Sequence, residues 1–441
     1  MLNSIKIQPQ TGRIVLFVLA FSLLFLGFYR NQWQMARPKK FSVFQKDVES
    51  YVIGRMVLTR QSGIFSKGGL LGWGDVNPDD VNEADYQYQY DAYFERLAFE
   101  SYLTKDSHPG FQGLLFSFLD QLSPFTPLNN LRLFRMFAAG LFAVTLTGLI
   151  LWFYEELGIL SAIFVLVSML VSQWMTLFGR NLFFVSGFFY LPMLVLLFRL
   201  QKEKYGHPLS YNQLFWLVFV FILLKCLFNG YDFILPTLGM VASPIVFYGV
   251  QNGWGMKNFS TRLLIIVMAF LGAILVSLVI LSIQVMFASG NLHDGLNYII
   301  ETINRRTFSN DPNLPAIYET AANASYWSIL RIYLSESYFD RYMVPYYAII
   351  ILFAIVSVVY FILHKKKYAT AGQSSQRIAL IITTWFSLLS PLSWYIIFKS
   401  VAYFHTHMNY LPWHMPFTLF GFGMCGHMIE TTFAQLRDQH N

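Results

Sequence analysis

Long runs of apolar residues recur along the chain at lengths that fit membrane-spanning helices. An α-helix rises 1.5 Å per residue, so about 20 apolar residues cross the hydrocarbon core of a bilayer. The predicted spans are 13–30, 132–153, 159–178, 182–200, 212–228, 232–250, 262–287, 344–363, 378–398 and 408–428. The pattern therefore predicts an all-α integral membrane protein. Residues 1–441 are expected to form a single polytopic domain, a bundle of about 10 transmembrane helices.

Positive charge in the short loops predicts the orientation of this bundle. The basic residues after the fourth, sixth and eighth predicted spans are Arg199, Lys202, Lys204, Lys257, Arg262, Lys365, Lys366, Lys367 and Arg377. Short loops rich in Lys and Arg face the cytoplasm. Both termini are then cytoplasmic, and two long loops, 31–131 and 288–343, lie outside. The first span is too long for a cleaved signal peptide and is interpreted as an anchor.

Composition supports the membrane assignment and excludes other classes. Hydrophobic residues make up 55% of the chain and charged residues 12%, against about 25% charged in soluble domains. The net charge of +7 is explained by the basic loops, so no nucleic-acid partner is expected. The two cysteines, Cys226 and Cys425, fall in predicted spans, and no disulfide framework is predicted.

Two carboxylates follow the first span, in the stretch FQKDVESYVIGRMVLTRQSGIF. Asp47 and Glu49 are placed outside the cytoplasm, near the outer interface. Apolar residues then recur at helical spacing, at Val52, Ile53, Met56 and Val57. This spacing predicts a juxtamembrane amphipathic helix. The pair can act as a catalytic acid or base, or can complement the dipole of the helix that follows.

Cationic side chains are expected on the same outer face as these carboxylates. The candidates are Arg180, Lys225, His405 and His407 in the outer turns, and Arg305 and Arg306 in the second long loop. Lys225 lies inside an apolar run, where a charge costs at least about 2.5–3.5 kcal/mol on insertion scales. These residues predict a binding site for a lipid phosphate. The alternatives are snorkelling of Lys225 and anchoring of Arg180 at headgroups.

The first long loop also mixes aromatic rings with acidic residues, a combination that suits carbohydrate. Rings stack on sugar faces and carboxylates accept hydrogen bonds from hydroxyls. The predicted sugar or acceptor ligands are Trp73 and Asp75 in this loop, with Tyr231 and Asn409 at other outer turns. A solvated, charged cover is the alternative interpretation of the loop.

No metal site or other cofactor is predicted. The stretch DVNPDD begins like a calcium loop, but Asp80 stands where the loop requires Gly. His405 and His407 are two residues apart, which is not the i,i+4 spacing of a helical metal pair. A divalent metal ion is kept only as an alternative.

The stretch KDVESYVIGRMVLTRQSGIFSKGGLLG resembles the GT-C superfamily of membrane glycosyltransferases. That superfamily includes the aminoarabinose transferase of lipid A and the protein O-mannosyltransferases. Its members carry an Asp or Asp-Glu motif after the first span, followed by a juxtamembrane helix. HPGFQGLLFSFLDQL, followed by NLRLFRMFAAGLFAVTLTGLILWFYEELG, is similar to the stretch where such enzymes enter their second and third spans. This chain has Asp-Val-Glu where many members have Asp-Glu, so the base is Asp47 or Glu49, and we favour Asp47.

The resemblance implies an inverting enzyme that takes a sugar from a polyprenyl phosphate donor such as undecaprenyl phosphate. The acceptor is a periplasmic or cell-surface glycan or a lipid-linked acceptor. A carboxylate deprotonates the acceptor, and basic residues bind the lipid phosphate. The implied location is the bacterial inner membrane, with the active site facing the periplasm. Rival interpretations are a lipid-linked glycan polymerase or ligase, and a lipid-linked sugar transporter or flippase. Transporters concentrate polar residues at the midplane, whereas here they are predicted on one face.

Overall fold

The computed structural model describes residues 9–77, 83–291, 293, 297, 300, 320, 323–339, 344–365 and 371–440. Its helices, in chain order, are α1 (Pro9–Arg30), α2 (Pro38–Ser62), α3 (Glu83–Glu95), α4 (Phe111–Leu122), α5 (Pro127–Leu157), α6 (Ile159–Val171), α7 (Gln173–Phe178), α8 (Gly187–Gln201), α9 (Tyr211–Asn229), α10 (Ile234–Gln251), α11 (Met256–Ser289), α12 (Tyr326–Ser335), α13 (Tyr346–Lys365), α14 (Ala371–Ser387), α15 (Leu389–Ile397), α16 (Lys399–Phe404) and α17 (Phe417–His440).

Strands are few and short in the described ranges. They form two antiparallel pairs: β1 (Gly72–Gly74) with β2 (Tyr102–Thr104), and β3 (Ser337–Phe339) with β4 (Val344–Pro345). In the first pair, Trp73 lies opposite Leu103. This pairing joins distant parts of the first long loop.

Six helical segments in the described part of the chain are long and apolar enough to cross a membrane. They are Gln10–Arg30, Pro127–Leu157, Tyr211–Asn229, Ile234–Gln251, Met256–Ser289 and Ser375–Ile397. Two shorter apolar helices cover Ile159–Val171 and Tyr346–Ile362. The chain is thus mostly helical and has the apolar helices of a membrane protein. The expected count of about 10 spans stays a prediction.

Three of the predicted spans are interrupted. Residues 378–398 break at Leu388, between α14 and α15. Residues 159–178 break at Ser172, whose hydroxyl accepts a hydrogen bond from the Met175 backbone and caps α7. Residues 408–428 do not begin as a helix, because a 3₁₀ turn over Leu411–His414 comes first. Pro412 and Pro416 lack the backbone N–H that a continuous helix needs. The last helix therefore begins only at Phe417, and residues 405–409 form a turn.

The first long loop is folded into the protein. Helix α2 begins at Pro38, before both carboxylates, and contacts α3, α4 and β1. Its residues 52–59 are buried on all sides, on the apolar positions Ile53 and Met56 and on the polar positions Arg55 and Thr59. The apolar spacing predicted one buried stripe, whereas protein surrounds this segment of the helix.

Candidate active site

A cavity of about 580 Å³ lies between the first long loop and the turn at residues 405–409. Helix α2 and the β1–β2 pair form one wall, and Phe233, Trp394 and the segment 400–409 form the other. The polar side chains at its surface are Asp47, Tyr51, Trp73, Tyr86, Thr104, Lys105, Ser107, Asp232, Ser400, His405, His407 and Asn409. Charged, aromatic and hydroxyl groups thus share one cavity, which is a usual feature of a substrate site.

Asp47 presents a carboxylate to this cavity from helix α2. Its Oδ2 lies 3.9 Å from His407 Nε2, and the Asp47 side chain is 30% exposed. Burial raises its pKa above the ordinary value of 3.8, while His407, Lys105 and a hydrogen bond from Tyr86 oppose the rise. A carboxylate with a raised pKa is a stronger base than an ordinary one.

Glu49 does not line the cavity, although it is only two residues from Asp47. It is fully buried and forms an ion pair with Arg135, whose Nε donates to Glu49 Oε1 at 2.9 Å. The Tyr90 hydroxyl donates to the same oxygen at 3.0 Å, and the Leu182 backbone N–H donates to Oε2 at 3.4 Å. These contacts saturate Glu49 and give it a structural position.

Lys105 brings a positive charge to the cavity. Its Nζ lies 4.1 Å from the centre of the Tyr51 ring and 5.5 Å from that of Phe183, and its charge acts on Asp47. His405 also lines the cavity, with its ring centroid 5.5 Å from that of His407. A lysine from one segment and two histidines from another therefore line the same cavity as the carboxylate.

Two further residues predicted to bind the lipid phosphate, Lys225 and Arg180, do not line the cavity. Lys225 is fully buried, and its Nζ donates to the carbonyls of Gly230 at 2.8 Å and Asp232 at 2.6 Å. Arg180 donates to the Tyr29 carbonyl at 2.9 Å and lies over the Phe41 ring at 4.3 Å. Both side chains hold backbone or aromatic groups. Arg305 and Arg306 lie outside the described residues.

Lys225 instead shapes the turn that carries Asp232 and Phe233 to the cavity wall. We expect Lys225→Met to lower thermal stability, because it leaves two buried carbonyls without a donor at about 1–3 kcal/mol each. The measurement is a thermal melt in detergent. Lys225→Arg is the control, because it keeps a donor at this position and should lose less. Equal melting temperatures for wild type and Lys225→Met would show that these bonds contribute nothing.

Two of the predicted sugar ligands line the cavity. The Trp73 ring stacks on Tyr51 at 3.9 Å, and its Nε1 donates to Ser50 Oγ at 2.8 Å. Asn409 is buried, and its side-chain amide donates to the Val401 carbonyl at 3.0 Å. Trp73 is thus a buried ring held at the cavity wall by Tyr51 and Ser50, while Asn409 mainly fixes the turn of residues 405–409.

The other two predicted sugar ligands have structural contacts away from the cavity. Asp75 Oδ1 accepts hydrogen bonds from the backbone N–H groups of Glu100 and Ser101, at 2.9 and 2.7 Å. The Tyr231 hydroxyl lies 3.1 Å from Ser277 Oγ. Asp75 closes the loop between β1 and β2, and Tyr231 joins the turn after α9 to α11.

Across the described ranges, no three His, Cys, Asp or Glu side chains are grouped so that they could hold a metal ion. Comparisons with protein-family models, curated proteins and solved structures find no match for this chain. The chemical groups and the geometry of the site are therefore the evidence for its chemistry.

Proposed function

We propose that this chain is an inverting glycosyltransferase of the GT-C type. It moves a sugar from a polyprenyl phosphate donor to a glycan or lipid-linked acceptor at the outer face of the bacterial inner membrane. The observation that supports it best is the meeting of Asp47 and Lys105 in one cavity of a helical membrane protein. We further propose that both termini are cytoplasmic and that the cavity opens to the periplasm.

The charges of Asp47 and Lys105 suit the two reacting groups of a glycosyl transfer, the acceptor hydroxyl and the leaving phosphate. Asp47 takes the proton of the acceptor hydroxyl as that oxygen bonds to the anomeric carbon of the donor. The bond from that carbon to the phosphate oxygen breaks, and the lipid phosphate leaves with the electron pair. Lys105, together with His405 of the same cavity, stabilises the charge of the departing phosphate. Attack from the side opposite the phosphate inverts the anomeric carbon.

Aromatic side chains give this cavity a surface for a sugar ring. Tyr51 and Trp73 stack on each other at 3.9 Å, and Tyr86 lies 5.4 Å from Trp73. Such rings bury the apolar face of a sugar while leaving its hydroxyls to polar neighbours. The rings lie on the same wall as Asp47, so a sugar stacked there is held beside the proposed base.

The proposal predicts a specific loss of phosphate binding. Lys105→Met should weaken binding of undecaprenyl phosphate about 10- to 100-fold, because a hydrogen bond to a charged group contributes about 1.5–3 kcal/mol. Binding is measured by thermophoresis with purified protein in nanodiscs. The matched control is Lys46→Met, since Lys46 is exposed on the same wall helix and donates to Gln87 at 2.8 Å, outside the cavity.

Equal affinity of wild type and Lys105→Met would remove the proposed phosphate site. Tighter binding of undecaprenyl diphosphate than of the monophosphate would instead favour a lipid-linked glycan polymerase or ligase. The two ligands have the same undecaprenyl group, so a difference in affinity is due to the number of phosphate groups.

A further inference from the structure

His407 faces Asp47 across a short gap that is open to the cavity. Asp47 Oδ2 and His407 Nε2 are 3.9 Å apart, and the two side chains are 30% and 49% exposed. The histidine is the more exposed of the two. Its turn is fixed by hydrogen bonds from the Met408 and Asn409 backbones to the His405 carbonyl, both 3.0 Å long. The gap is therefore a feature of two separately held segments.

This distance fits one oxygen atom beside the pair. At 3.9 Å the two groups are too far apart for a direct hydrogen bond, which ends near 3.2 Å. An oxygen atom can lie about 2.8 Å, a hydrogen-bond distance, from both Asp47 Oδ2 and His407 Nε2 at this separation. A hydroxyl or a water molecule can thus contact both groups at once.

Burial brings the proton affinities of Asp47 and His407 closer together, and most of the nearby charges oppose it. Burial raises the pKa of Asp47 and lowers the pKa of His407. On the Asp47 side, Lys105 and Tyr86 oppose the rise. On the His407 side, the Asp47 carboxylate opposes the fall and Lys40 adds to it. Proton transfer is easiest between groups of similar affinity.

The remaining titratable groups at this cavity are Tyr51, His405 and Asp232. His405 lies against His407 with ring centroids 5.5 Å apart. Asp232 belongs to the turn after α9 and is not among the groups that shift the pKa of Asp47 or His407. Asp47 and His407 therefore interact electrostatically more strongly with each other than with Asp232.

From this geometry we propose that His407 is the proton acceptor that regenerates Asp47 after each transfer. The inference rests on the proposed function. The acceptor hydroxyl gives its proton to Asp47 while its oxygen bonds to the sugar. The protonated carboxyl then passes that proton, through one bridging water, to the Nε2 lone pair of neutral His407. The imidazolium releases it to solvent on its exposed side, and both groups return to their starting forms.

The coupling of the pair is tested without any substrate. Protein labelled with ¹³C at the histidine Cε1 is titrated by NMR in detergent, and the His407 signal is assigned by its absence in His407→Gln. Asp47→Asn should lower the His407 midpoint by about half a pH unit or more, because it removes a nearby negative charge. The matched control, Asp232→Asn, should leave the midpoint in place. An unchanged midpoint in Asp47→Asn would overturn the pair.

The relay itself is tested by chemical rescue. His407→Ala should lower the release of undecaprenyl phosphate from its glycosylated form at least tenfold, and added imidazole should restore part of the rate. A side chain needed only for folding would not be replaced by free imidazole, so absence of rescue overturns the relay. A wild-type protein that releases no undecaprenyl phosphate would count against the proposed function, while the NMR titration would still decide the pair.

Discussion

Asp47→Asn is expected to slow sugar transfer by about 10² to 10⁴-fold, the usual contribution of a general base. The substitution keeps the size of the side chain and removes its ability to take a proton. Release of undecaprenyl phosphate from a panel of undecaprenyl phosphate sugars, with an envelope fraction supplying acceptor, measures the rate. Undecaprenyl phosphate binding should persist, because Lys105 and His405 are unchanged.

The matched control for this experiment is Asp232→Asn. Asp232 also lines the cavity, but its backbone is held by Lys225, and it is not among the groups that act on the pKa of His407. We expect the smaller loss from Asp232→Asn. The opposite order would transfer the role of base to Asp232, and full activity in both variants would exclude a carboxylate mechanism.

The pH dependence of the rate follows from the environment of Asp47. Its pKa is raised by burial, so the carboxylate becomes protonated at a higher pH than an ordinary Asp. Transfer should therefore fall with decreasing pH at a midpoint above the ordinary value of 3.8. This acid limb should be missing from the residual activity of Asp47→Asn.

The sequence predicts the apolar helices because their signal is local. Runs such as 132–153 and 262–287 correspond to α5 and α11, which extend a few residues further at each end. Hydropathy cannot distinguish a helix that crosses a membrane from two shorter helices buried in protein. For this reason hydropathy could not predict the helix breaks at Ser172 and before Phe417. Pro412 and Pro416 indicated the second break.

The candidate site was accessible to sequence reasoning only in part. Five of the predicted site residues, Asp47, Trp73, His405, His407 and Asn409, line one cavity, and its placement at the outer face stays a prediction. Lys105 carried no signal, because the pairing of β1 with β2 brings it next to α2 from a distant part of the loop. Such long-range pairing is not encoded in any local pattern.

The positions of the two carboxylates follow from helix geometry. Residues two apart on an α-helix point about 200° away from each other. Asp47 and Glu49 lie in the same helix, α2, so one side chain faces the cavity and the other faces the protein interior. The structure places Glu49 on the interior side, against Arg135.

This placement predicts a stability defect for Glu49→Gln. Removing one partner of a buried ion pair leaves an uncompensated charge and typically costs about 3–5 kcal/mol. Arg135 keeps some solvent contact, with 19% of its side chain exposed, so we expect the lower end of that range. Arg180 adds to the defect, because its charge acts against that of Arg135 while Glu49 compensates it. Thermal melts of purified protein in detergent measure the loss.

The double variant Glu49→Gln/Arg135→Met separates an ion pair from a general packing defect. It removes the charge that the single variant leaves unpaired, so it should be more stable than Glu49→Gln alone. Asp47→Asn is the control on the same helix and should melt no lower than wild type, because Asn replaces a carboxylate whose pKa burial raises. Because the pKa of Asp47 is higher in the folded protein, the protein loses stability as the pH rises above the pKa of Asp47 in the unfolded chain. Asn at this position causes no such loss. A double variant less stable than Glu49→Gln would show that Arg135 acts through packing rather than through charge.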